Sequence, residues 1–212
     1  MIYLFDLFIT IILFLFFAIF HTILASNKIK IIISKKIGEK IAFYRLFYNM
    51  LSILILLLIW GISPKPDIVI YDLEYPFDIL IFVLQILSGV GILWSISKID
   101  LGELSGFNQV KRYLKKNYDI QVLDGKIQLK FDGPYKLCRH PIYFFSILFL
   151  GLRPTMDLFY LVIFICIVIY LIIGSYSEEK KIIDKHGYRY EKYQRRVPRI
   201  IPGFYKFKVL WK

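Results

Sequence analysis

The sequence is poor in cysteine and histidine, the residues from which disulfide frameworks and many metal sites are built. It contains two cysteines and three histidines among 212 residues. Cys138 and Cys166 have no second cysteine near them in the sequence, and no zinc-binding spacing is present. We therefore expect two free thiols, no disulfide framework and no metal site.

Charged residues are nearly absent from five apolar segments, which argues against a soluble globular protein. Hydrophobic residues make up 58% of the chain, and the mean hydropathy is +0.59. A soluble domain of this size cannot bury so much apolar surface. The sequence therefore predicts an all-α integral membrane protein with about five transmembrane helices, at residues 2–25, 41–62, 77–97, 141–152 and 155–177.

The fourth of these segments, residues 141–152, is the shortest. It would be roughly 18 Å long as a helix, whereas the hydrocarbon core of a bilayer is about 30 Å thick. Arg153-Pro154 separates it from the last segment. We expect a short penultimate helix that forms a hairpin with the last span and is followed by a cytoplasmic helical tail.

Basic residues are concentrated in three stretches of the chain. All 28 lysines and arginines except Lys65 and Arg153 lie within residues 28–45, 98–139 and 180–212. Because cytoplasmic loops carry an excess of Lys and Arg, we expect the amino terminus outside and the carboxyl terminus inside a bacterial-type inner membrane. This topology, with attraction to anionic membrane lipids, accounts for the net charge of +12 without a nucleic-acid partner.

The apolar and polar stretches divide the chain into functional parts. We expect three transmembrane helices in residues 1–97, a basic cytoplasmic connector in 98–140, a helix hairpin with its tail in 133–202, and a basic end in 203–212. The connector contains Asp124-Gly125 between two short alternating segments, a pattern typical of a β-hairpin.

Arg139 and His140 stand immediately before Pro141, which is well placed as the first residue of a helix. A helix amino terminus beside an arginine is a good anion-binding site. Because the helix is short, we expect these two side chains at the lipid border. The alternative is that they extend to the membrane interface without binding a ligand.

Two carboxylates, Glu178 and Glu179, stand where the last span leaves the membrane. One of them could pair with a buried arginine or accept hydrogen bonds from ribose hydroxyls. They could equally lie on a solvated face if the helix continues to Gly187. Tyr190 and Tyr193 follow a predicted helix break at Gly187, although tyrosines are also common at membrane interfaces.

The polar residues of this region form an ordered pattern that resembles a known family. The pattern is similar to the carboxyl-terminal signature of the isoprenylcysteine carboxyl methyltransferase and phospholipid methyltransferase superfamily, membrane enzymes that use S-adenosylmethionine. Gly89 and Gly91 are similar to that superfamily's Gly-x-Gly element, although small residues also serve helix packing in lipid. The signature residues are Gly133, Pro134, Tyr135, Arg139, His140, Pro141, Tyr143, Glu178, Glu179, Gly187, Tyr190, Tyr193, Pro198 and Pro202.

Four further segments narrow the resemblance to one branch, which contains methanethiol S-methyltransferases and NnrU-type membrane proteins. They are residues 20–26, residues 44–49 leading to Trp60, Asp100-Leu101 followed by Gly106-Phe107, and residues 154–156. Two departures from the branch bear on the substrate more than on the cofactor. Gly151-Leu152-Arg153 replaces an expected tryptophan, and Lys180-Lys181 replaces an expected Arg-Asp.

The resemblance implies a membrane methyltransferase that uses S-adenosylmethionine and methylates a small thiol. Methylation of an isoprenylcysteine carboxylate or of a phospholipid stays open, as does a noncatalytic membrane protein of the NnrU type. A transporter or channel is disfavoured, because such proteins carry charged residues within their spans. Here Asp6 and His21 lie near the two ends of the first segment.

The resemblance also implies roles for individual residues. Arg139 would hold the carboxylate of the cofactor's methionine part, a glutamate its ribose and a tyrosine its adenine. Arg139, His140 and His21 are the predicted catalytic residues, with His21 either facing the acceptor or lying at the interface. The predicted cofactor-binding residues are Tyr135, Arg139, His140, Pro141, Tyr143, Glu178, Glu179, Tyr190, Tyr193, Gly89 and Gly91.

Overall fold

The computed structural model describes residues 2–120, 123 and 129–203, and it divides the chain into two compact units. The first unit comprises residues 1–65 and 99–129. Its helices are α1 (Ile2–Leu24), α2 (Asn27–Ile37), a 3-10 segment (Gly38–Phe43), α3 (Tyr44–Ile62), α5 (Leu101–Ser105) and α6 (Phe107–Leu114).

The second unit comprises residues 66–98 and 130–212. Its elements are β1 (Val69–Asp72), α4 (Phe77–Ile96), a second 3-10 segment (Gly133–Lys136), α7 (Pro141–Gly151), β2 (Thr155–Asp157), α8 (Leu158–His186) and α9 (Tyr188–Gln194). The third long helix therefore belongs to the same unit as the short helix α7 and the last long helix. The division at residue 97 that we expected from the sequence stays a prediction.

The chain is an integral membrane protein built largely from helices. Four helical stretches are long and apolar enough to cross a bilayer: Tyr3–Leu24, Asn27–Ile62, Phe77–Ile96 and Leu158–His186. The fourth apolar segment of the sequence is the 11-residue helix α7. Large apolar side chains such as Leu57 and Leu93 are 65% and 68% exposed, as expected of surfaces that lipid covers. The number of spans and the orientation of the termini stay predictions.

Polar contacts tie the helices of the first unit together. The Tyr44 hydroxyl donates to the Leu24 carbonyl at 2.9 Å and so joins the start of α3 to the end of α1. Asn49 Nδ2 donates to the Ser105 carbonyl at 3.0 Å and joins α3 to α5. A Cβ at Gly106, which has φ +101°, would lie 2.7 Å from the Leu46 amide nitrogen, so only glycine permits this close approach.

In the second unit, α4 and α7 pack face to face through small residues. A Cβ at Gly91 would overlap the ring of Phe145, whereas one at Gly89 would make ordinary contact with Phe149 at 3.4 Å. Gln85 Nε2 donates to the Phe149 carbonyl at 2.9 Å. The structure thus gives Gly91 a packing role, and a cofactor role for Gly89 and Gly91 stays a prediction.

A short antiparallel ladder that the sequence did not predict joins β1 to β2. Asp72 pairs with Thr155 in register, and the Thr155 hydroxyl donates to Asp72 Oδ1 at 2.6 Å. Asp157 then caps α8, since its Oδ1 accepts from the Tyr160 amide at 2.8 Å. Our expectation that the last helix begins at residue 155 was therefore wrong, because residues 155–157 are extended.

The last helix also extends beyond residue 177, where we expected the span to end. α8 continues to His186, and Gly187 ends it with φ +51°, as the predicted helix break at that glycine requires. The β-hairpin expected around Asp124-Gly125 lies outside the described residues.

Candidate functional site

Most of the predicted site residues meet in the second unit, where the start of α7, the end of α8 and the tail converge. Pro141 begins α7, and His140 is its N-cap residue. The Arg139 amide donates to the Pro198 carbonyl at 2.8 Å, and the His140 amide donates to the Arg199 carbonyl at 2.9 Å. These two backbone bonds pin the start of α7 to the tail.

Arg139 and Glu179 form a buried ion pair with two hydrogen bonds. Arg139 Nε donates to Glu179 Oε1 at 2.6 Å, and Nη2 donates to Oε2 at 3.1 Å. The side chains are 9% and 3% exposed. Arg139 Nη1 donates to the carbonyls of Gln194 and Val197 at 3.1 and 2.6 Å. A buried pair is stable when its remaining donors are satisfied in this way.

Glu179 is the centre of a larger network, which we call the Glu179 cluster (Arg139, His140, Glu179, Gln194 and Arg199). Gln194 Nε2 and Arg199 Nη2 donate to Glu179 Oε2 at 2.9 and 3.0 Å. His140 Nε2 lies 3.2 Å from Oε1. Since four side chains surround the carboxylate with donors, both of its oxygens are used inside the protein.

His140 is buried and stays neutral in this cluster. Burial lowers its pKa below the ordinary value and outweighs the opposing effect of the Glu178 and Glu179 carboxylates. Its ring stacks on Tyr143 with the centroids 5.1 Å apart. Nε2 therefore carries the proton of the neutral ring and donates it to Glu179 Oε1. Through this bond and the ring contact, the imidazole helps to position Glu179 and Tyr143.

Glu178 differs from its neighbour Glu179 because its side chain faces outward. That side chain is 52% exposed. The Tyr143 hydroxyl donates to Glu178 Oε1 at 2.5 Å, and Oε2 lies 3.6 Å from His140 Nδ1. Glu178 is therefore the carboxylate of the site that can accept hydrogen bonds from a ligand.

Two tyrosines of α9, the buried Tyr190 and the half-buried Tyr193, pack against each other. Tyr190 is 3% exposed, and its ring centroid lies 5.7 Å from that of Tyr193. The Tyr193 hydroxyl donates to the Tyr135 carbonyl at 2.5 Å. Burial raises the pKa of Tyr190 and Tyr193 above the ordinary value, and that of Tyr135 to about 12. All three hydroxyls stay protonated at neutral pH.

Cys138 lies beside the cluster but has no nucleophilic character. It is 0% exposed, and burial raises the pKa of its thiol to about 12. The thiolate is the reactive form of cysteine, so this thiol is inert at neutral pH.

The remaining predicted catalytic residue, His21, belongs to the first unit. Its Nδ1 lies 2.9 Å from Ser52 Oγ, and its Nε2 lies 2.5 Å from the Tyr48 hydroxyl. Ser52 donates its own proton to the Tyr48 carbonyl at 2.8 Å, so it accepts from His21 Nδ1. The Tyr48 hydroxyl also lies 3.0 Å from Nδ1, so it is within hydrogen-bond distance of both ring nitrogens. These contacts are compatible with a proton on Nδ1 and an acceptor at Nε2.

Gln194 and Arg199 complete the Glu179 cluster, although we did not predict either of them. Arg199 also stacks over the Tyr176 ring at 3.4 Å. The signal in the sequence was the position of Arg199 directly after Pro198, a signature residue. Gln194 gave no signal, because a glutamine at the end of a short helix is usually solvated.

Comparison with known proteins places the chain in a family. It is 30% identical over 190 residues to a methanethiol S-methyltransferase of Crocosphaera subtropica, and the match covers 88% of this chain and 71% of that protein. The chain belongs to the methanethiol S-methyltransferase family.

Two further members of this family are similar over the same share of the chain. Methanethiol S-methyltransferase 1 of Bradyrhizobium diazoefficiens is 30% identical over 191 residues, which cover 88% of this chain and 63% of that protein. The methanethiol S-methyltransferase of Pseudomonas deceptionensis is 26% identical over 188 residues, with 88% and 69% covered. The chain therefore spans about two thirds of the length of these relatives. No family model matches the chain, and no solved structure matches it.

Family membership makes the chain a relative of membrane methyltransferases and confirms the resemblance found in its sequence. The match of 190 residues is far longer than the signature of residues 133–202, so it includes the amino-terminal segments as well.

Proposed function

We propose that this chain is an S-adenosylmethionine-dependent methyltransferase of the membrane that methylates a small thiol. Two observations support the proposal. The chain is similar to methanethiol S-methyltransferases over 88% of its length. In addition, residues that are distant in the sequence, from Arg139 to Arg199, converge around Glu179.

The polar groups of the second unit fit an adenosyl cofactor at their outward-facing edge. Glu178 is exposed and has lone pairs left over after its bond from Tyr143, so it can accept hydrogen bonds from two ribose hydroxyls. Glu179 is buried and already accepts from its four neighbours. Of the two glutamates, we therefore assign the ribose to Glu178.

Arg139 fits a different role from the one that the family resemblance implied. Its Nε, Nη1 and Nη2 donate to Glu179 and to two backbone carbonyls of the tail. We propose that Arg139 positions the site by holding the ends of α8 and α9 together, and that His140 does the same from the N-cap of α7.

The chain's own residues have two tasks in such a reaction. When bound, S-adenosylmethionine supplies a sulfonium methyl group that a thiolate sulfur takes by in-line displacement, which depends on positioning. The thiol must lose its proton to become a thiolate. We propose that His21 Nε2 takes this proton through the Tyr48 hydroxyl, which lies 2.5 Å away.

The decisive experiment is turnover by the purified chain in detergent with methyl-labelled S-adenosylmethionine. With methanethiol as acceptor, we expect labelled dimethyl sulfide in gas chromatography. Glu178→Gln should abolish most of the product, while Asp184→Asn, which makes the same change on an exposed residue of α8, should not. A base-labile methyl ester on farnesylcysteine, or a methylated phospholipid, would identify another acceptor. Absence of any product together with absence of cofactor binding would identify a noncatalytic protein.

A further inference from the structure

The helix α6 of the first unit turns large apolar side chains outward and a polar side chain inward. Gln109 is 1% exposed, and its Nε2 donates to the Glu103 carbonyl at 3.1 Å. Phe107 and Leu114 are 62% and 71% exposed. Because residues seven apart share a face of a helix, these two side chains form one apolar surface, which is unfavourable in water and needs a cover.

The neighbouring helix α5 continues this surface. Leu101 and Leu104 are 54% and 46% exposed, whereas Glu103 between them is 5% exposed. Glu103 forms an ion pair with Arg112 of α6, whose Nη2 lies 3.2 Å from Glu103 Oε2. The buried side of the two helices is therefore polar and paired, and the exposed side carries large apolar groups. We call these groups the outer face: Leu101, Leu104, Phe107 and Leu114.

The attachment of α5 to α3 places the outer face at the depth of a surface that lipid covers. Asn49 Nδ2 donates to the Ser105 carbonyl, at the end of α5, at 3.0 Å. Asn49 belongs to the helical stretch Asn27–Ile62, which is long and apolar enough to cross a bilayer. Its near neighbours Phe47 and Met50 are 62% and 64% exposed. The end of α5 is therefore level with apolar side chains of α3 that face lipid.

Lysines flank the outer face, as they do in helices that lie along a membrane surface. Lys111 is exposed and lies one turn after Phe107, and the exposed Lys115 and Lys116 directly follow Leu114. Such lysines place their apolar stems along lipid and their ammonium groups among the headgroups. We propose that α5 and α6 lie in the membrane interface, with the outer face against the acyl chains and these lysines at the level of the phosphates.

The same lysines disfavour a second copy of the chain as the cover. A symmetric dimer buries the same patch on both copies. Contact through the outer face would therefore bring like charges together at its rim, where they repel each other. The bilayer, in contrast, offers both an apolar layer and negatively charged phosphates.

The test measures the surroundings of the outer face in the full chain, reconstituted in phospholipid nanodiscs. Phe107→Cys and Leu114→Cys, each in a cysteine-free background, carry a nitroxide spin label. Oxygen collides preferentially with labels in lipid, and a water-soluble nickel chelate with labels in water. We expect the ratio of oxygen to nickel collisions at both positions to exceed several-fold that of Asp184→Cys, a label on an exposed residue of α8. Leu93→Cys on α4, where leucine is 68% exposed, gives the lipid-facing reference.

Two outcomes would overturn the proposal. A collision ratio equal to that of Asp184→Cys would mean that the outer face meets water. Few collisions with either reagent would mean that protein covers it, from a second copy or from another part of this chain. If the cysteine-free variants do not fold, Phe107→Trp in the parent sequence decides the question, since brominated acyl chains should quench the added fluorescence but not that of Asp184→Trp.

Discussion

The chain satisfies its buried polar groups in two different ways. The Glu179 cluster of the second unit is a network of charged groups, whereas the His21 group of the first unit (His21, Tyr48 and Ser52) is neutral. Glu179 is charged and is surrounded by two guanidinium groups, an amide and an imidazole. His21 is part of a neutral chain of hydrogen bonds from Tyr48 through the imidazole to Ser52. Charge near lipid thus requires complete pairing, whereas a neutral group keeps an acceptor that can take up a proton.

A similar contrast separates two glutamates that are adjacent in the sequence. Successive residues of a helix point in directions about 100° apart, so one carboxylate enters the cluster while the other faces outward. Glu179 is 3% and Glu178 52% exposed. A buried, saturated carboxylate stabilises the fold, and an exposed one is available for a ligand. Substitutions in the Glu179 cluster should therefore lower the stability of the protein, whereas substitution of Glu178 should lower ligand binding.

Loss of Arg139 should destabilise the protein strongly. Arg139→Ala leaves Glu179 buried with one guanidinium fewer, and breaking a buried ion pair costs about 3–5 kcal/mol. Thermal unfolding in detergent measures the effect, with Lys180→Ala on the exposed side of α8 as the control. If Arg139→Ala folds as the parent does and only loses cofactor binding, Arg139 contacts the cofactor and our positioning role is wrong.

Replacement of His21 should lower turnover in a way that depends on the acidity of the acceptor thiol. His21→Gln removes the proton acceptor, and a general base contributes about a hundredfold or more to the rate. The loss should shrink for thiols of lower pKa, because these ionise without help. Rates for a series of thiols measure this, with Thr22→Val as the control. A loss of the same size for every thiol would contradict the role of His21 as a base.

The two glycines of α4 should differ in their tolerance of a methyl group. Gly91→Ala introduces a Cβ that overlaps the Phe145 ring, and overpacking of this kind costs about 1–3 kcal/mol. Gly89→Ala makes only ordinary contact with Phe149 and should not destabilise the protein. Thermal unfolding compares the two variants. A stable Gly91→Ala protein that no longer binds cofactor would support the Gly-x-Gly element as a binding feature instead.

Removal of both cysteines should have little effect on turnover. Cys138 is buried as a protonated thiol, and the proposed reaction needs no nucleophile from the chain. The double variant Cys138→Ser, Cys166→Ser should therefore retain its methyl-transfer rate per folded molecule, measured against the parent chain. An inactive but folded double variant would show that a thiol takes part in the chemistry.

The sequence predicted those features of the fold that depend on neighbouring residues. Uninterrupted apolar runs located the long helices, Pro141 located the start of α7, and Gly187 located the end of α8. The strand pairing of Asp72 with Thr155 could not be predicted, because the partners are far apart in the chain and each strand is short. A local pattern contains no information about such a pairing.

The sequence predicted many of the residues that meet at the site, but not which of them form hydrogen bonds with one another. The resemblance named Arg139, Glu178 and Glu179, yet only the structure shows that Arg139 is committed to Glu179 while Glu178 faces outward. Gln194 joins the same cluster from α9 because Gly187 turns the chain back toward α8. Such assignments depend on rotamers and on the fold of the tail, which residue types alone do not determine.

The sharpest test of this division is a pair of near-isosteric variants, Glu178→Gln and Glu179→Gln. For each, calorimetry with S-adenosylhomocysteine measures cofactor binding and thermal unfolding measures stability. We predict that Glu178→Gln keeps the stability of the parent chain and loses most of its cofactor affinity, while Glu179→Gln loses stability. A Glu178→Gln protein that binds the cofactor as tightly as the parent does would contradict the central claim.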